Sequence, residues 1–149
     1  MNVQRVMTTD VATCEPGQTL DAVVRTMEER DCGALPVVDD GRVVGMVTDR
    51  DVVLAAVRSE RPLGQMSVAD AMTRDPVTCR PDDPVPAAQS HMREAQVRRL
   101  PVVDGDGRLA GVLTLGGLAH ATRQEPLITR AEVGATLAAI VDPDPPRRI

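Results

Sequence analysis

Seven consecutive residues, Gly45-Met46-Val47-Thr48-Asp49-Arg50-Asp51, carry the densest chemistry in the chain. Val43, Val44, Met46 and Val47 are apolar and read as the end of a buried strand. Thr48 stands where a helix N-cap belongs, with Asp49 and Asp51 in the first turn. The unpaired backbone N–H groups of a helix start offer donors to an anion or a hydroxyl-rich group. Asp51, one turn in, has two acceptor oxygens that can take both hydroxyls of a ribose diol. The same residues support a plainer reading, in which a Thr with an acid three residues on is a capping box that only finishes the helix. Both readings stand on these residues alone.

The elements that position this junction come from an internal repeat. Val6-Met7-Thr8-Thr9-Asp10-Val11-Ala12-Thr13-Cys14-Glu15-Pro16 is matched 65 residues later by Ala71-Met72-Thr73-Arg74-Asp75-Pro76-Val77-Thr78-Cys79-Arg80-Pro81. The same offset carries Met27 onto Met92 and Leu35-Pro36-Val37-Val38-Asp39 onto Leu100-Pro101-Val102-Val103-Asp104. After one inserted residue, Gly45-Met46-Val47-Thr48 meets Gly111-Val112-Leu113-Thr114. Apolar and turn positions recur in the same order, which composition alone would not produce.

Each copy reads as strand, helix, strand, strand, helix. A short strand (near 11–14 and 76–79) leads through a Pro-containing turn to a helix (near 19–31 and 84–96) with apolar residues at helical spacing, such as Leu20, Val23, Val24 and Met27. Two strands follow, joined by Asp39-Asp40-Gly41 or Asp104-Gly105-Asp106-Gly107, residues that tolerate positive φ and favour a hairpin. A second helix, near 49–58 and 115–122, closes each copy. One such copy is too small to bury its own sheet well, so two related by an approximate twofold axis are expected to pack sheet to sheet in an α+β fold. The expected organisation is repeat 1 over 1–60, a linker over 61–67, repeat 2 over 68–122 and an extension over 123–149. In the extension, a short helix over 132–141, with Val133, Leu137, Ala138 and Val141 at helical spacing, precedes a Pro-rich tail expected to be disordered.

Composition narrows the function. The 149 residues include no Phe, Tyr or Trp, so a ring-shaped ligand must be gripped by aliphatic side chains. A net charge of −5 without a stacking residue argues against nucleic acid. Every basic side chain is Arg, the better bidentate phosphate ligand. No leader and no apolar run of membrane-spanning length are evident, so a cytoplasmic protein without a membrane partner is expected. Cys14 and Cys79 fit small buried hydrophobes, and Cys32, in a turn, is the more plausible reactive thiol. His91 and His120 lack Cys, Asp or Glu at ligand spacing, so no metal site is expected.

The repeat pair, each half opening near Met-Thr and running through Leu-Pro-Val-Val-Asp to Gly-x-x-Thr, resembles the tandem cystathionine-β-synthase (CBS) domain pair, the Bateman module, over about residues 3–122. The resemblance implies a regulatory module without catalytic activity. Such modules bind AMP, ADP, ATP or S-adenosylmethionine in clefts between the repeats, require no cofactor and assemble as disc-shaped homodimers. It also implies that Thr48 and Asp51 contact phosphate and ribose. Asp70, Pro76, Val77, Val97 and Arg98 would lie on the adenine side, with Met46 closing the sandwich and Arg50 available to phosphate.

In the second cleft the counterparts are Asp10, Val11, Cys32, Gly33, Val112 and Thr114, with Arg98 and Arg99 at positions that often hold phosphate. There Gly117 replaces the ribose-binding Asp, which removes charge-assisted hydrogen bonds of about 1.5 to 3 kcal/mol each. The expectation is one competent adenosyl site, one degenerate site that still accepts an anion, and output through a separate effector protein. The alternatives are a ligand-free dimeric scaffold, in which Thr48 and Asp51 only cap a helix, and a thiol-based redox responder acting through Cys32.

Overall fold

The structure, a computed structural model, describes residues 1–141, and the Pro-rich tail at 142–149 lies outside the described residues. The fold is α+β, with strands and helices in both repeats and a helix in the extension. Contacts group the chain into two compact units. The first is Asp10–Pro76 with Gly107–Leu109; the second is Met1–Thr9, Val77–Asp106 and Ala110 onward.

In the first unit, α1 (Leu20–Glu29) buries Leu20, Val23 and Met27, three positions of the apolar stripe. β1 (Ala34–Asp39) pairs antiparallel with β2 (Arg42–Thr48), Leu35 opposite Val47 and Val37 opposite Gly45. The hairpin turns at Asp40 and Gly41, whose φ angles of 51° and 76° are those a tight two-residue turn demands of both central positions. α2 (Asp49–Ser59) follows β2 without a break and stops at Glu60, which is left-handed. A short α3 (Val68–Ala71) then delivers β3 (Thr73–Arg74) to the free side of β2, opposite Gly45 and Met46, giving a sheet of order β1-β2-β3.

The second unit repeats the plan with α4 (Val85–Ala95), the paired strands β4 (Arg99–Val103) and β5 (Leu109–Thr114), and α5 (Leu115–Ala121). Met1–Thr9 belongs here. Thr8 exchanges both backbone hydrogen bonds with Val112 at 2.9 Å, the place β3 takes on Gly45 and Met46 in the first unit. Each unit therefore combines the Met-Thr opening of one repeat with the body of the other.

Two expectations need correction. The opening strands near 11–14 and 76–79 shrink to single parallel bridges, Cys14 to Val37 and Cys79 to Val102. Pro16 and Pro81 follow two residues after each cysteine and have no N–H with which to continue a ladder. The C-terminal helix exists as α6 (Arg130–Val141), but it buries Val133, Thr136 and Ile140, leaving Leu137 and Val141 exposed. Its partner α4 presents Gln89 and Arg93 there, both of which donate to Thr136 Oγ1, at 3.3 and 3.1 Å. A threonine is drawn inward because those donors need an acceptor.

Candidate functional site

β2 ends on buried Met46 and Val47, and the chain must turn outward where the next residue can no longer be buried. Thr48 does so in extended conformation and starts α2. Its Oγ1 accepts the Asp51 N–H at 3.1 Å, while Asp51 Oδ2 accepts the Thr48 N–H at 2.9 Å, a complete capping box. The start of α2 is held further by Gly33, whose carbonyl accepts the Asp49 N–H at 3.0 Å. A Cβ on Gly33 would stand 3.1 Å from Asp49 Oδ2, the far end of an exposed side chain that can move aside.

Asp51 faces a groove of about 270 Å³ lined by Asp51, Leu54, Ala55, Arg58, Ser59, Arg61, Met66, Asp70 and Ala71. Asp51, Leu54, Ala55 and Arg58 fall at i, i+3, i+4 and i+7, one face of α2. Arg61 and Asp70 close the far side. Their Nη2 and Oδ2 are 3.7 Å apart and both side chains are about half exposed, a pairing water screens heavily. Arg58 has no ion-pair partner among the described residues. The groove thus offers two carboxylates for hydroxyls and two guanidinium groups for phosphate oxygens, with aliphatic walls between them.

The structure brings Asp51 and Asp70 together beside Thr48. Met46 is buried within the sheet, opposite Pro36 and Thr73, and Pro76 is half-buried at the end of the unit. Arg50 is exposed and not part of the groove lining; its backbone N–H donates to Asp49 Oδ1. Asp10 is exposed and paired with Arg30 at 3.0 Å, while Val11, Cys32 and Gly33 are half-buried. Sequence reasoning missed Arg58 and Arg61. The helical spacing from Asp51 would have found the first; nothing local announces the second.

In the second unit, Thr114 caps α5 by accepting the Gly117 N–H at 2.9 Å, and Gly117 has no side chain to complete the box. The Arg98 carbonyl accepts the Leu115 N–H at 2.9 Å, repeating the Gly33–Asp49 bond. Arg98, Arg99 and Thr114 share a groove of about 520 Å³ with Leu115, Gly116, Ala119, Val133, Gly134 and Leu137. The last three come from α6, a wall that the repeat pattern does not foretell. Val112 is buried, bridged to Thr8; Val97 is half-buried and Val77 exposed.

The three cysteines are free. Burial pushes the Cys14 thiol up to about 11; burial, with the nearby Asp83 charge, pushes Cys79 up to about 12. Among the described residues there is no group of three His, Cys, Asp or Glu that could hold a metal ion, and no helix long and apolar enough to cross a membrane.

The family model described as CBS domain matches twice, over residues 3–58 and 68–123. The CBS domain-containing protein YhcV of Bacillus subtilis is 39% identical over 118 residues, 79% of this chain and 83% of YhcV. Inosine-5'-monophosphate dehydrogenase of Mycobacterium tuberculosis is 37% identical over 133 residues, which is 88% of this chain but only 24% of the dehydrogenase. Among solved structures, CBSX2 of Arabidopsis thaliana in complex with AMP superposes with a TM-score of 0.74 at 31% identity, covering 83% of this chain and 96% of CBSX2.

Proposed function

The chain belongs to the CBS domain family, and on that premise we propose that it is a regulatory module, not an enzyme, that senses an adenosine-containing ligand at the Thr48–Asp51 junction. The observation that carries the reading is the groove in which Asp51 and Asp70 meet Arg58 and Arg61 beside the start of α2. Asp51 takes the ribose hydroxyls, and the two arginines take the phosphates in place of Arg50. The base is gripped by aliphatic side chains, with Met46 and Pro76 of the same unit as its proposed neighbours. CBSX2 in complex with AMP supports the ligand class. AMP, ADP, ATP and S-adenosylmethionine are the candidates.

The second site, at Thr114 with Arg98 and Arg99, and with Val112 of the same unit as a further proposed member, lacks a ribose-binding carboxylate and is read as an anion site. The protein acts as a cytoplasmic homodimer and signals to a separate effector protein. Its ligand shifts that signal only as far as it binds one arrangement better than another.

The capping box favours one competing reading, a ligand-free scaffold in which Asp51 does nothing beyond holding Thr48. One experiment separates the two. With no Trp or Tyr, the purified protein absorbs almost nothing near 280 nm, so a retained nucleotide dominates its ultraviolet spectrum. The sensor reading predicts an adenine band near 260 nm, or saturable heat on titrating stripped protein with the four candidates. A flat spectrum together with no heat from any of them leaves the scaffold.

A further inference from the structure

The groove at Arg98, Arg99 and Thr114 lies wholly within the second unit and has two chemically different kinds of lining. Its polar side chains are two guanidinium groups and one hydroxyl, and no acidic side chain lines it. Neither Arg98 nor Arg99 has an ion-pair partner among the described residues. Thr114 Oγ1 accepts the Gly117 N–H, which leaves its own proton to donate. Every polar side chain on offer is a donor, and the complement to such a set is an anion.

The rest of the lining is aliphatic or bare. Leu115 and Ala119 come from α5, and Val133, Gly134 and Leu137 from α6. Leu137 is 41% exposed, a large apolar surface left open beside the two arginines. A Cβ on Gly134 would meet nothing within 4 Å, so the space next to it is free. Glu132, the one acid of α6, is engaged elsewhere, accepting from Thr129 N–H and Oγ1 at 3.0 and 2.8 Å. A nucleoside finds no match in this lining, because no carboxylate or amide side chain is there to take a ribose diol or the edge of a base.

We propose that this groove binds an anionic amphiphile, its carboxylate or phosphate head on Arg98 and Arg99 and its aliphatic tail against Leu115, Ala119, Val133 and Leu137. The head contact rests on the anion site read above; the tail names the class of ligand. A volume of about 520 Å³ falls within the range of about 300 to 1,000 Å³ that holds a small organic molecule, more than a bare inorganic anion fills. α6 begins after residue 123, where the family match ends, so the wall made by Val133 and Leu137 belongs to the extension.

The test is calorimetry on the full chain with acetate, hexanoate, octanoate and decanoate below micelle-forming concentrations, with circular dichroism and melting temperature as fold controls. Affinity should rise roughly two- to fourfold with each methylene, the upper figure corresponding to complete burial. Decyl phosphate beside decanoate tells which head the arginines prefer, and arginine-dependent binding of either supports the amphiphile. Arg98→Ala/Arg99→Ala should weaken decanoate at least tenfold. Gly134→Gln puts an amide in the free space and a better helix former in α6, so it should flatten the dependence on chain length without lowering the melting temperature. Equal, arginine-dependent binding of acetate and decanoate overturns the tail contact and leaves the anion site standing. Decanoate binding that Gly134→Gln leaves unchanged overturns the groove as the seat of the tail. No arginine-dependent binding by any probe overturns both the amphiphile and the anion site.

Discussion

Thr48 and Asp51 hold each other through two reciprocal hydrogen bonds, at 3.1 and 2.9 Å, while Thr114 and Gly117, their counterparts, share only one. The difference is a single carboxylate. In the first unit it completes a cap and presents charge to a groove; in the second, Thr114 receives a bare N–H.

Gly117→Asp should therefore convert the second junction toward the first. Its Cβ would meet Thr114 Oγ1 at 3.0 Å, close enough that the threonine must give slightly. The expected outcome is a second adenosyl equivalent per chain in calorimetry. An unchanged stoichiometry of one would show that a carboxylate is not what the second site lacks.

Arg58 and Arg61 are assigned to phosphate and not to the nucleoside. Replacing both with Ala should weaken AMP roughly ten- to a hundredfold, from the loss of charge-assisted hydrogen bonds of about 1.5 to 3 kcal/mol less the screening that exposed arginines suffer. Adenosine should bind the variant as it binds the wild type. Equal losses for both ligands would place these arginines elsewhere in the recognition.

Gly45 and Gly111 occupy matching places under the two Met-Thr openings. A Cβ on Gly45 would fall 2.8 Å from the Thr73 carbonyl oxygen, and one on Gly111 would fall 2.6 Å from that of Thr8. Backbone stands in the way at both, so Gly45→Ala and Gly111→Ala should each cost about 1 to 3 kcal/mol in urea denaturation. A variant as stable as the wild type would mean that these crossings separate freely.

The buried thiols set an alkaline limit. Cys14 and Cys79 are raised to about 11 and about 12 mainly by burial, whereas unfolded thiols ionise near 8.5. Their contribution to stability is complete below about pH 8.5 and falls as pH rises toward the folded values, because the unfolded chain loses its protons first. Urea midpoints should decline between pH 8.5 and 10. At pH 8 a thiol reagent should label Cys32 alone in the native chain and all three cysteines after unfolding; rapid native labelling of Cys14 or Cys79 would contradict their burial.

Much of this architecture was legible because it rests on local rules applied twice. The positive-φ turn at Asp40 and Gly41, the apolar stripe of α1 and the capping residues Thr48 and Asp51 are readable from neighbours in sequence. What stayed hidden depends on distant partners. Thr73 and Arg74 become a strand only because the edge of β2 at Gly45 is open to them, and Arg61 reaches the groove only after the chain has turned beyond Glu60. α6 buries Thr136 instead of Leu137 because Gln89 and Arg93 wait on α4, which no periodicity within α6 could reveal.

Whether Asp51 binds as well as caps is decided by Asp51→Asn, which keeps an oxygen for the Thr48 N–H and removes the charge offered to ribose. Calorimetric titration of AMP into nucleotide-free protein should give saturable binding at the Asp51 site in the wild type. In the variant, affinity should fall at least tenfold, with the melting temperature nearly unchanged. Equal affinity in the two proteins, or no binding by either, would contradict the account.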